Sequence, residues 1–184
     1  HNADKTVARI DELMRQYLGC VKMVVLAPLE DGTTHIDMFS KLVSKHVMVL
    51  GEATTAEATQ ATLDALAQDA AILEAVVLPD GSRLAVHRIP MPYQKDEVWR
   101  TYTNATFANG VNLVPTYAAF AQHQAAAMAV WAQAMPEWTH VAIESGEIIT
   151  WGGAMHCISR TLPVAAISAW IPGGTCVAGA CAGV

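Results

Sequence analysis

The chain has 184 residues, 53% of them hydrophobic and 15% charged, with a formal net charge of -6. That length fits a single domain with a sizeable core, and the apolar content excludes an intrinsically disordered chain. An acidic balance argues against a nucleic-acid partner. The longest apolar stretch, 118–135, is interrupted by Gln122, His123, Gln124 and Gln133, which argues against a membrane span.

His1–Arg9 lacks an initiator Met and does not read as a signal peptide; it is expected to be the interior of a longer, processed or truncated chain. Asp4–Leu18 then sets Val7, Ile10, Leu13, Met14 and Leu18 on one helical face, with Gly19 as the stop. Cys20–Leu26 reads as a buried strand ending at Pro28, and residues 30–34 as a turn. His35–Val43 and His46–Leu50 read as two short strands split by Ser44-Lys45. Thr54 or Thr55 caps a predicted helix over Ala56–Leu73, with Glu57 placed for a capping box on Thr54. Asp80-Gly81 turns into the strand Leu84–Ile89, and a loop runs from Pro90 to Asp96. Arg100–Phe107 reads as a strand, Asn109-Gly110 as a hairpin turn and Val111–Val114 as the return strand. Ala118–Met135 is an Ala-rich helix, followed by the strand His140–Ile143; a third copy of the pattern starts at Gly152 and runs into Leu162–Trp170.

Strand, strand, helix, strand thus occurs twice, with half-units at both ends, which points to a repeat or propeller-like arrangement. The starts of the three copies carry His35, Asn104 and Cys157, and rotation of one module onto the next would bring these polar residues to one axis. Cys157 follows Gly152-Gly153-Ala-Met-His156, where the glycine pair permits a close backbone or substrate approach to a candidate thiolate nucleophile. On a strand, His156 would face away from its neighbour Cys157 and serve as a structural residue, whereas His35 and Asp37 would share a face as proton carrier and carboxylate. Asn104 lies in an Asn-Ala-Thr glycosylation sequon but among apolar strand residues, which favours an inward amide that orients a substrate. His35, Asp37, His156 and Cys157 are also possible metal ligands, without an HExxH or paired CxxC spacing. No GxSxG elbow or phosphate loop is present. Cys176 and Cys181 flank a short Gly-containing segment, open between a small-loop disulfide and two unpaired residues.

GTTHIDMFSKLV, TYTNATFANGVNLVPTY and WGGAMHCISRTLP, in that order over residues 32–163, resemble the agmatine deiminase and Porphyromonas-type peptidylarginine deiminase family of guanidine-modifying enzymes. The resemblance implies an α/β pentein fold, a pseudo-fivefold propeller of ββαβ modules. Residues 1–184 would then be its C-terminal portion, with the N-terminal modules missing. It implies a hydrolase of amidine C–N bonds without cofactor or metal. Cys157 would be the nucleophile forming a thiouronium intermediate, His35 the general acid/base, Asp37 a guanidinium-gripping carboxylate, and Asn104 a second residue lining the substrate site. Substrates would be agmatine, on the way to putrescine, or arginine in a peptide, giving citrulline. A companion chain or a homo-oligomer is expected to complete the ring, with neither nucleic acid nor membrane as partner, and a soluble protein of the cytoplasm or the secreted fraction. A non-catalytic binding or structural fragment is the alternative.

Overall fold

A computed structural model describes residues 4–20, 22–161 and the strand backbones 175–177 and 180–182. Thr6 opens α1 (Val7–Leu18) by accepting from the Arg9 amide, and Gly19 closes it in the left-handed region. No residue of α1 is buried, and Val7, Tyr17 and Leu18 are largely exposed.

Two copies of one topology follow. In the first, β1 (Ser40–Leu42) pairs antiparallel with β2 (Val47–Glu52), α2 (Gln60–Glu74) crosses over, and β3 (Ala85–Pro90) runs parallel to β2. In the second, β4 (Thr106–Ala108), β5 (Val111–Thr116), α3 (Ala121–Ala134) and β6 (Thr139–Glu144) repeat it, again antiparallel and then parallel. The register repeats as well: Val47 faces Ala85 at the start of one parallel pair and Val111 faces Thr139 at the start of the other. Crossover helices are what allow a parallel return. Asn109 and Gly110 both take positive φ, which a two-residue hairpin of right-handed twist requires. β7 (Thr175–Val177) and β8 (Ala180–Ala182) pair antiparallel with Cys176 opposite Cys181 along the backbone, but the side chains of this pair lie outside the described residues.

One buried cluster joins the units. Met38, Val49 and Ile89 of the first pack with Tyr102, Val114, Ala127 and Trp131 of the second, and α3 lies against β3. Among the described residues the sheets are open and three-stranded or smaller, and no helix is long and apolar enough to cross a membrane.

Several expected elements differ. Residues 22–29 form no strand: the Ala27 amide donates to the buried carboxylate of Asp69 on α2 at 2.7 Å instead of to a neighbouring strand. Thr54 and Glu57 do meet, with the Thr54 amide on Glu57 Oε2 at 2.7 Å, but they close a separate turn, and Thr59 caps the helix proper. His35–Phe39 is a short 3-10 turn leading into β1 rather than a strand. Of Arg100–Phe107 only its end joins β4; residues 101–105 are irregular and fully buried. The expected run Leu162–Trp170 lies outside the described residues.

Burying irregular backbone requires side chains that replace the missing ladder bonds. The Tyr117 hydroxyl accepts from the Thr101 amide at 3.1 Å and donates to the Thr101 carbonyl at 2.9 Å. Trp131 Nε1 donates to the Tyr102 carbonyl at 3.2 Å, and the Thr101 and Thr103 hydroxyls bond each other at 2.7 Å. Tyr117→Phe strands an amide and a carbonyl in the core, and is expected to cost about 1–3 kcal/mol, read as a lowered urea midpoint with an unchanged m-value.

Candidate active site

The 3-10 turn before β1 presents His35 and Asp37, the buried segment before β4 presents Asn104, and a turn over residues 155–158 presents His156 and Cys157. One donor atom each from His35, Asp37 and Cys157 lie within 4.8 Å of one another. Three regions far apart in sequence therefore meet at one point, as the module repeat led us to expect.

Asn104 is wholly buried and binds every one of these segments. Its Oδ1 accepts from the Ala154 amide at 2.9 Å and the Cys157 amide at 3.3 Å. Its Nδ2 donates to Asp37 Oδ2 at 2.6 Å and to Cys157 Sγ at 3.1 Å, and its carbonyl accepts from the His156 amide at 3.0 Å. Thr103 adds a hydroxyl bond to the Asp37 carbonyl at 3.0 Å. A zero-exposure Asn104 is an inward amide, not an accessible glycosylation site.

His156 departs from the expectation drawn for it. The segment is a turn, so the strand rule that would point His156 and Cys157 to opposite faces does not apply, and His156 Nδ1 sits 2.6 Å from Asp37 Oδ2. His156 is thus a site residue that sequence reasoning set aside. Lys41, which carried no sequence signal, lines the adjoining cleft of about 290 Å3 with Phe107, His156 and Ser159. Gly153 explains the glycine pair: a Cβ there would come within 2.5 Å of both Cys157 Cβ and Sγ. Gly152 takes a φ of +93°, which favours glycine.

Burial works to raise the Asp37 carboxyl, but the hydrogen bond and charge of His156, with the Cys157 thiol, outweigh it and hold Asp37 below its ordinary value. Burial raises Cys157, aided by the Asp37 charge 3.6 Å away and opposed by the Asn104 hydrogen bond. His35, Asp37 and Cys157 are close enough to bridge one metal ion. The Asn104 amide hydrogens, however, are aimed at the same Asp37 oxygen and the same sulfur, so a cation there would meet the positive end of that dipole. The donor set suits a hydrogen-bonded substrate better.

The fold and site together define an α/β protein of tandem ββαβ units that carries a Cys–His–Asp–Asn cluster where the units meet. The family profile of the Porphyromonas-type peptidyl-arginine deiminases matches residues 1–163. A Vibrio parahaemolyticus protein provisionally named as an agmatine deiminase is 25% identical over 186 aligned positions, covering 88% of this chain and 51% of that protein. Among crystal structures, one from Porphyromonas gingivalis provisionally described as an arginine deiminase superposes with a TM-score of 0.75 at 23% identity, over 89% of this chain and 50% of that one. The agmatine deiminase of Enterococcus faecalis gives 0.73 at 20% identity, over 86% and 49%. The two structures share the fold, and this chain spans about half the length of each relative. The chain belongs to the Porphyromonas-type peptidyl-arginine deiminase family.

Two outcomes are expected. Gly153→Ala displaces the Cys157 sulfur and slows its alkylation by iodoacetamide at least tenfold, while a far-ultraviolet spectrum stays unchanged. The second concerns acid. Because the folded state favours ionised Asp37, its contribution to stability is present above the ordinary carboxylate value of about 4 and is lost as pH falls through the lowered folded value. His156→Ala moves that loss to higher pH; denaturation midpoints measured between pH 2 and 5 would show it, and identical profiles would refute it.

Proposed function

We propose that the protein hydrolyses a guanidinium group to a ureido group with release of ammonia. The observation that carries this is the convergence of Cys157, His35, Asp37 and Asn104 from three separate segments. Asp37 grips guanidinium nitrogens through a carboxylate held charged by its neighbours. The Cys157 thiolate adds to the guanidinium carbon, and His35 gives a proton to the nitrogen that departs as ammonia, leaving an S-linked thiouronium. His35 then takes a proton from water, the resulting hydroxide equivalent adds to the same carbon, and the C–S bond breaks to return the thiolate. Asn104 orients the sulfur and the Asp37 carboxylate for both steps. Agmatine and arginine within a peptide both present the required group.

In the same reading, the two ββαβ units belong to a pentein-type propeller, of which residues 1–184 form the C-terminal portion. The remaining wall of the pocket is supplied by N-terminal modules, by a companion chain or by a second copy. Trp151 is 90% exposed, and Ile36 and Ile158 are also exposed beside the cluster, which supports a further covering surface. The half-length matches leave room for the same surface in the relatives.

The test is ammonia and ureido-product formation from agmatine and from an arginine peptide, with the protein supplied together with any companion. Cys157→Ala is expected to lower kcat at least 1000-fold, and Asp37→Asn to raise KM at least tenfold. Full turnover by Cys157→Ala would end the proposal. A guanidinium compound that raises the melting temperature with no turnover would favour a binding or structural subunit, and stoichiometric zinc by elemental analysis would restore a metal site.

A further inference from the structure

His35 and Asp37 are carried by one short 3-10 turn, Ile36–Met38 and its leading residue. Two backbone bonds close it, from the Met38 amide to the His35 carbonyl at 3.1 Å and from the Phe39 amide to the Ile36 carbonyl at 3.2 Å. A turn this short has little cooperativity of its own, so its place against the other segments is set from outside. Asn104 and His156 hold the Asp37 carboxylate. The Asp37 carbonyl takes no backbone amide among the described residues; its partner is the Thr103 hydroxyl, at 3.0 Å.

The chemistry of the partners fixes the direction of every proton in this contact. A carbonyl only accepts and a hydroxyl has one proton, so Thr103 spends its proton on Asp37. The Thr101 hydroxyl, 2.7 Å from that of Thr103, must then be the donor between them. Thr101 Oγ1 in turn accepts from the Thr103 amide at 3.1 Å. Both threonines are wholly buried, and the Thr101 amide and carbonyl are bound by the Tyr117 hydroxyl at the end of β5. The run Tyr117–Thr101–Thr103–Asp37 thus links β5 to the turn, with each hydroxyl proton assigned. Neighbouring residues take the two ends of Asp37, Thr103 its backbone and Asn104 its carboxylate.

We propose that Thr103 is a positioning residue for guanidinium binding: its hydroxyl ties the Asp37 backbone to the clamped segment and so fixes where the Asp37 carboxylate meets substrate. The proposal rests on the deiminase reading, in which Asp37 grips the guanidinium. Its test compares variants with agmatine and an arginine peptide, each supplied together with any companion of the native protein. Thr103→Val keeps the shape of the side chain and removes the tie; KM is expected to rise about tenfold with kcat within about threefold. Thr103→Ser restores the hydroxyl and with it the wild-type KM. Iodoacetamide labelling of Cys157 should stay within about twofold in both variants, because Asn104 holds the sulfur independently. Should the valine form not fold, Thr103→Cys, whose thiol is a weak donor, is expected to raise KM in the same way. Leu73→Ala, a cavity in the core on α2, supplies a destabilised control whose KM should not move. An unmoved KM in the Val or Cys variant, failure of Ser to restore it, or a fall in labelling that matches the rise in KM would overturn the role of Thr103 alone. So would an equal rise in KM from Leu73→Ala. Absence of turnover in the wild-type protein would overturn the deiminase reading, and this proposal with it.

Discussion

The carboxamide of Asn104 is the constraint on which the site depends. One buried side chain accepts from two amides of the 154–157 turn and donates to the Asp37 carboxylate and the Cys157 sulfur. An amide is suited to this because it offers acceptor and donor in a fixed plane. An aspartate would present a second anion to Asp37, and an apolar residue would leave the buried Ala154 amide and the part-buried Cys157 amide unpaired. The turn carrying Cys157 has no sheet of its own among the described residues, so this fixed point substitutes for a strand ladder.

That fixed point needs a rigid mount, and the segment 101–105 provides it. It is irregular yet fully buried, held by the Tyr117 hydroxyl from the end of β5 and the Trp131 indole from α3. Trp131 and Tyr117 belong to the same cluster as Met38, next to Asp37. Packing of α3 between the units thus sets the distance between the acid and the sulfur. The electrostatics follow from burial and that distance: Asp37 stays charged against its burial because His156 is near, and the sulfur resists ionisation because burial, and then the Asp37 charge, disfavour the thiolate.

Much of the fold was legible because it is written in local periodicity. The short apolar runs at 46–50 and 111–114, the Ala-rich stretch 118–135 and the Asn109-Gly110 pair each act over a few residues, and β2, β5, α3 and the hairpin formed on them within a few residues of the expected bounds. The repeat itself was readable for the same reason, and so was the meeting of His35, Asp37, Asn104 and Cys157 that it implied. Cys20–Leu26 misled because an apolar run becomes a strand only when another strand offers hydrogen bonds, and Asp69 took up the Ala27 amide. Arg100–Phe107 misled because the backbone of Thr101 and Tyr102 finds its partners in the Tyr117 and Trp131 side chains, sixteen and more residues away, and not in a strand.

By itself the sequence determined the ββαβ order, the hairpin turn and the set of polar side chains that meet at the candidate site, since short-range sterics and residue chemistry specify these. Tertiary structure alone decided which way those residues face. His156 follows the course of a turn whose shape is dictated by Asn104, some fifty residues away, and Lys41 lines the cleft beside His156 because β1 lies beside Phe107 of the second unit. Side-chain direction at such places is fixed by long-range hydrogen bonds and packing, which no local pattern encodes.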